Sequence, residues 1–375
     1  MEIERKTRSG NVYGTFVIKV ESDNNNNDDE DKDEMEVVES KIEVQNENVK
    51  DKVESDFKME NGIENEPQPQ NQMEKKEIIK ILISGGEIFS NNRGAKGITN
   101  STEIIYPSCT RPPMKGPDMK VARKWHVQVK MSNGDIFVCG GKNDEDEYLD
   151  SCEILSATSN EFRLLNCKMN AGRIACGGVV MKNGKIVIIG GCTKNSPVTS
   201  SCEIFDPATE TFTLLLEVLK QPISLVTACL LKDDTIFILG KNVSHFFCYQ
   251  ELSPVGLAFV DDGDIPNNFQ PTGAVVVGDF ILLAGNPFSA TKCTLLFDTL
   301  TRKFSNGPDL QKSRSYVYLT DCGNRQVFIG GLSVDYSQYI SYIESFNANS
   351  NNDYSFNHCS STNENRSAPA SSSFY

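Results

Sequence analysis

Six short apolar runs each end in glycine, and nothing else in the sequence limits its fold so tightly. They are ILISGG (81–86), IFVCGG (136–141), IVIIGG (186–191), IFILGK (236–241), ILLAGN (281–286) and VFIGGL (327–332). Their glycines Gly85, Gly140, Gly190, Gly240, Gly285 and Gly330 fall 45 to 55 residues apart. A period in that range marks a repeat protein whose unit is one supersecondary block.

More of the unit recurs. After a variable loop come TEIIYP (102–107), CEILS (152–156), CEIFDP (202–207), CTLLFD (293–298) and YIESFN (342–347). FDPATETF (205–212) then matches FDTLTRKF (297–304), with LSATSNEF (155–162) a looser copy. Ahead of the glycine runs lie HVQVKM (126–131), ACGGVVM (175–181), SLVTACLL (224–231), TGAVVVG (272–278) and YVYLT (316–320). Asn133-Gly134 and Asn183-Gly184 join two of these to their glycine runs, and Asn-Gly between apolar runs is a strong hairpin signal. Each unit therefore reads as four antiparallel strands, a to d, with glycines closing strand b. Such a sheet cannot cover its own two faces and must stack on neighbours. A ring of them is a β-propeller, here all-β and six-bladed. A sandwich or solenoid fits a four-segment unit of this length less well. Paired glycines suit a sharp turn and the close approach of a neighbouring blade.

On these residues the unit resembles the kelch repeat: apolar run, Gly-Gly, loop, aromatic-Asp-Pro turn, aromatic. The similarity covers residues 8–20 and 77–357 and is strongest in repeats two and three. Repeats four and five carry Lys241 and Asn286 at the second glycine, and Phe162, Phe212 and Phe304 stand at the family's tryptophan position. The resemblance implies a protein-binding scaffold or adaptor, with cytoskeletal or ubiquitin-ligase components as options for the protein partner. Some kelch-like propellers are enzymes, so a small-molecule enzyme using a central pocket is the alternative, although no such site matches residue by residue.

Charge is unevenly placed. Residues 21–76 hold 19 Asp/Glu against 7 Lys/Arg, most of the chain's net charge of -14. With few apolar groups and the low-complexity stretch Asn24–Asp31, this segment reads as a disordered acidic insertion. A nearly neutral remainder argues against a nucleic-acid partner, which needs a basic footprint. No apolar run is long enough for a membrane span, and MEIERKTRSG has no signal-peptide core. Of 12 cysteines none forms a C-x-x-C, so a reduced, cytoplasmic protein is expected.

Only polar sequence precedes ILISGG, so the inner strand of blade one is expected from residues 12–20 (VYGTFVIKV), within an N-terminal strand segment 1–20. The acidic insertion 21–76 then lies inside blade one's a–b hairpin, the propeller occupies 77–357, and 358–375 form a disordered tail. Loop closure costs only on the order of 2 kcal/mol more for such an insertion. Strand d of blade six is expected from residues 353–357 or 2–6.

Candidate partner-binding residues gather where the b–c and d–a loops share one face. GPDMKVAR (116–123) and GPDLQKSR (307–314) place Arg123 and Arg314 alike before strand a, with Arg173 and Arg8 as equivalents. A ring of guanidinium groups there suits partner carboxylates, with Trp125, Tyr148 and Tyr316 as aromatic anchors. The competing reading has each arginine bracing its own turn against the repeated Glu103, Glu153 and Glu203. Catalysis has little support. His126, His245 and His358 lie in different repeats without metal-ligand spacing, so no cofactor, metal or catalytic residue is expected.

Overall fold

Strand b of every unit is apolar without alternation because both of its faces are buried. In blade three Ile186 and Ile188 enter the core shared with blade two, while Val187 and Ile189 enter the core shared with blade four. The period-two geometry of a strand thus splits one apolar run between two interfaces. Six such clusters occur, one at each junction between successive blades.

A computed structural model of the protein describes residues 6–8, 11–13, 80–89, 95–106, 112–216, 218–253, 255, 257–266, 269–286, 291–322, 326–335, 338–348, 354–361, 366–367 and 370–374. The chain divides into Met1–Met73 and Glu74–Tyr375. In the first unit Lys6–Arg8 pairs antiparallel with Asn11–Tyr13.

The second unit contains six four-stranded antiparallel sheets. Five are each one continuous stretch of chain. Blade two is Val127–Lys130, Ile136–Cys139, Ser151–Leu155 and Phe162–Lys168. Blade three is Gly177–Val180, Ile186–Ile189, Cys202–Asp206 and Thr211–Leu215. Blade four is Ile223–Leu230, Ile236–Asn242, Phe247–Leu252 and Phe259–Asp264. Blade five is Gly273–Val277, Phe280–Ala284, Thr294–Asp298 and Lys303–Asn306. Blade six is Ser315–Asp321, Gln326–Asp335, Gln338–Ala348 and Tyr354–Ser361, the last being the nearer of its two expected d strands.

Blade one is composite. Lys80–Ser84, Thr102–Ile105 and Met114–Lys115 supply b, c and d, and Ala370–Phe374 supplies strand a in the register Lys80↔Phe374 to Ser84↔Ala370. The inner strands then neighbour one another from blade one round to blade six and back, so the ring is closed. This corrects the expectation that residues 12–20 form strand a. Asn11–Tyr13 pairs instead with Lys6–Arg8, and 14–20 lie outside the described residues. The tail 358–375, expected to be disordered, carries the closing strand. The physical reason is that an inner strand is held by main-chain pairing and by neighbours on either side. It needs no apolar run, as Val127–Lys130 (VQVK) and Gly177–Val180 (GGVV) show. The expected insertion 21–76 also lies outside the described residues.

Aromatic stacking reinforces two junctions. Phe137 of blade two stacks on Phe205 of blade three at 4.5 Å, and Phe205 meets Phe212 at 4.9 Å. Phe237, Tyr249, Phe297 and Phe304 repeat the theme between blades four and five.

Candidate interaction face

The paired glycines set the geometry of the face on which the b–c and d–a connections meet, called here the glycine face. Gly85, Gly140 and Gly190 all have positive φ (60°, 67° and 58°). A Cβ at each would lie 2.3 Å from the Arg123 carbonyl oxygen, 2.7 Å from that of Arg173 and 2.8 Å from that of Ile223, all on the next blade. The second glycine of each pair donates its N–H to that same carbonyl, at 2.9 Å from Gly86, 2.8 Å from Gly141 and 2.8 Å from Gly191. Only glycine meets both demands, left-handed backbone and a neighbour's main chain in contact.

The arginines sit behind this latch. Arg123 and Arg314 are 0% exposed and Arg173 is 1% exposed. Arg123 donates from Nη1 to Gly140 O (2.7 Å) and Ser151 O (3.2 Å), and from Nη2 to Glu153 Oε1 (2.8 Å). Arg173, fifty positions on, donates from Nη1 to Gly190 O (3.0 Å) and Ser201 O (3.2 Å), and from Nε to Glu203 Oε1 (3.0 Å). Each glutamate also accepts from its d–a connection: Glu153 from Lys120 N and Val121 N, Glu203 from Asn170 N and Nδ2. These side chains brace their own blades and present no guanidinium to a partner. The reading of Arg123, Arg173 and Arg314 as partner contacts is corrected accordingly, because side chains at 0–1% exposure do not reach the surface where a partner would meet them.

The brace changes as a unit. The strand-c residue opposite the position two before the first glycine of each run is Glu103, Glu153 and Glu203 in blades one to three, but Gln250 in blade four and Leu295 in blade five. The residue four places before the equivalent point of strand a is Arg366, Arg123 and Arg173, then Ile223 and Phe269. In blades four and five the carboxylate and the guanidinium are lost together. In blade four the Gln250 amide instead exchanges hydrogen bonds with the Gln221 backbone.

Of the remaining expected site residues, Arg8 lies in the N-terminal hairpin and its side chain is outside the described residues, as is that of Tyr316. Trp125 is half-buried with φ 56°, and Lys124 Nζ lies 4.9 Å over its ring while pairing with Glu87 at 2.9 Å. Tyr148 is half-buried in an 890 Å³ groove with Glu145, Asp146 and Lys194. Trp125 and Tyr148 thus belong to the glycine face, without the arginines.

The ring axis holds a 340 Å³ cavity lined by the inner strands of blades two to six. At its edge Ser84 Oγ donates to Gln128 Oε1 (2.5 Å), while Gln128 Nε2 donates to Leu82 O (3.1 Å). Ser84 must then accept from His126 Nε2 (2.8 Å), which puts the imidazole proton on Nε2. Burial, and secondarily the Arg123 charge, hold the His126 pKa well below its usual value. The Ser84 hydroxyl proton is committed to Gln128, so this serine and histidine do not form a nucleophile and its base.

Sequence reasoning missed a third feature of the glycine face. The blade-four b–c hairpin raises Val243 and Phe246, 60% and 62% exposed, beside a 690 Å³ groove. The signal was present in Asn242–Phe247 (NVSHFF), a loop with two adjacent aromatics inside an eroded repeat.

Six radially stacked four-stranded sheets closed round an axis define a β-propeller. Residues 173–215, from the blade-three arginine to the end of its strand d, match the Kelch motif. The solved structure of YjhT is similar with a TM-score of 0.59 at 13% identity, over 74% of this chain and 97% of that one, a likeness of fold. No curated protein matches the sequence. The chain is a β-propeller that carries a Kelch motif in blade three.

Proposed function

We propose that this propeller is a protein-interaction module, a scaffold or adaptor that takes its partner on the glycine face. The hairpin tip carrying Val243 and Phe246 is the observation behind this reading: two large apolar side chains, each more than half exposed, on one short turn. Clustered exposed apolar groups mark interaction sites, and aromatic residues dominate binding energy there.

The opposite face, where the a–b and c–d turns meet, spends many of its charges on links between blades. Arg163 pairs with Glu210 at 2.6 Å, Lys182 with Asp234 at 2.5 Å, Lys232 with Asp279 at 2.5 Å and Arg302 with Asp233 at 3.3 Å. Each such exposed pair adds little stability, but its charges are already matched.

Photo-crosslinking tests the assignment. A photoreactive phenylalanine at position 148 or 246 should capture a discrete protein partner in cells. The same group at Ser159 or Leu300, on the opposite face, should not. Capture from the opposite face alone overturns the choice of face, and capture from neither face overturns the module.

A further inference from the structure

We infer that the groove beside the blade-four hairpin docks a short segment of a partner protein carrying a large apolar side chain next to a lysine or arginine. The inference rests on the interaction-module reading and names the chemistry of its ligand.

Three features of the groove converge on that chemistry. Its base is apolar: Phe247 and Ile265 are buried, Phe269 is half-buried, and Phe246 stands over them as a mostly exposed wall. An aromatic or branched aliphatic side chain placed there covers the Phe246 ring and is itself removed from water.

Second, the Gln270 amide oxygen at this groove is buried with no hydrogen-bond partner. An unmatched buried acceptor is uncommon and calls for a donor. The N–H of an extended segment, one residue from its apolar anchor, is such a donor.

Third, the rim is negative. Asp264 lines the groove and is exposed, and Asp261 and Asp262 precede it on the same edge strand. Lys220 pairs with Asp262 at 2.7 Å, whereas Asp264, the aspartate that lines the groove, takes part in no ion pair among the described residues. The surplus is felt nearby: after burial, the main influences raising the Cys248 pKa are Asp264 and Asp262. A lysine or arginine beside the anchor meets this field, and a carboxylate is repelled by it.

The test starts from a displayed library of random linear peptides selected on the full-length chain. Selected peptides, made synthetically with a fluorophore, are titrated by anisotropy against wild type, Phe246→Ser and Asp264→Asn. Both side chains are exposed, and unchanged circular dichroism and melting establish that the variants fold. The selected peptides should share an apolar residue beside a basic one. Phe246→Ser should weaken binding about tenfold or more. Asp264→Asn should weaken it roughly threefold and flatten its salt dependence. Peptides that bind Phe246→Ser as well as wild type overturn the groove and leave the module standing. Acidic or purely apolar consensus peptides overturn the stated chemistry. A selection that yields no binder counts against the groove and the module together.

Discussion

Replacing the blade-three brace with the blade-five pair separates a structural arginine from one held for binding. The perturbation is Arg173→Phe and Glu203→Leu, singly and together, copying Phe269 and Leu295. In the wild type Arg173 donates to Glu203, Gly190 O, Ser201 O and Ser201 Oγ, and Glu203 accepts twice more from Asn170. Glu203→Leu strands a guanidinium that is 1% exposed, which costs about 3–5 kcal/mol. Arg173→Phe leaves the carboxylate with only the two Asn170 donors and costs a similar amount. In the double variant no charge is stranded, and the new ring and Leu side chain have the volume to pack together. Its loss should therefore fall short of the sum of the single losses by up to about 3 kcal/mol. Urea unfolding followed by circular dichroism and by the fluorescence of Trp125, the single tryptophan, reads these differences. Single variants within about 1 kcal/mol of wild type, or a double variant equal to the sum, would refute the coupling of the two positions.

Other outcomes follow from the same geometry. Gly85→Ala, whose Cβ would lie 2.3 Å from the Arg123 carbonyl oxygen, should destabilise the fold well beyond Gly184→Ala, which meets nothing within 4 Å; the latter bears only left-handed strain of about 1–2 kcal/mol, and equal melting shifts for the two would contradict the latch. His126 titrates below its unfolded value, so the unfolded chain binds more protons in that window. Stability from this site is complete above pH of about 6.5 and drains away as pH falls through the depressed folded value, a slope that His126→Gln should remove from pH-dependent unfolding curves. Deleting residues 362–375 removes strand a of blade one and should abolish the cooperative melt, whereas deleting 1–73 should leave it unchanged, since every propeller strand among the described residues comes from 80–374. The reverse pattern would restore residues 12–20 as the inner strand.

The repeat was legible because strand b is buried on both faces and so writes itself as an unbroken apolar run closed by glycine. The need for two glycines was legible as well, since close approach by a neighbour is what a missing Cβ permits. The role of the arginines was harder to read. Arg123 and Glu153, like Arg173 and Glu203, are thirty residues apart in sequence, but whether a guanidinium turns inward or outward depends on whether the glutamate's strand presents it a buried acceptor. The closing strand escaped notice because Ala370–Phe374 is ASSSF, with no apolar pattern to mark it. Its clue was positional: Arg366 stands four residues ahead of Ala370, as Arg173 stands ahead of Gly177. The hairpin with Val243 and Phe246 belongs to a degenerate repeat, where departures from the pattern hold the information that periodicity discards.

Closure by the last strand also orders events on the ribosome. Blades two to six can assemble from contiguous chain as it emerges, N-terminal segments first. Blade one, although translated before them, must wait with the inner edge of Lys80–Ser84 unpaired until Ala370–Phe374 has left the exit tunnel. A waiting strand edge is a template for pairing with other nascent chains. Native structure in this protein is therefore a report that translation has passed residue 374: a chain stopped upstream of Ala370 keeps an open edge that quality control can recognise.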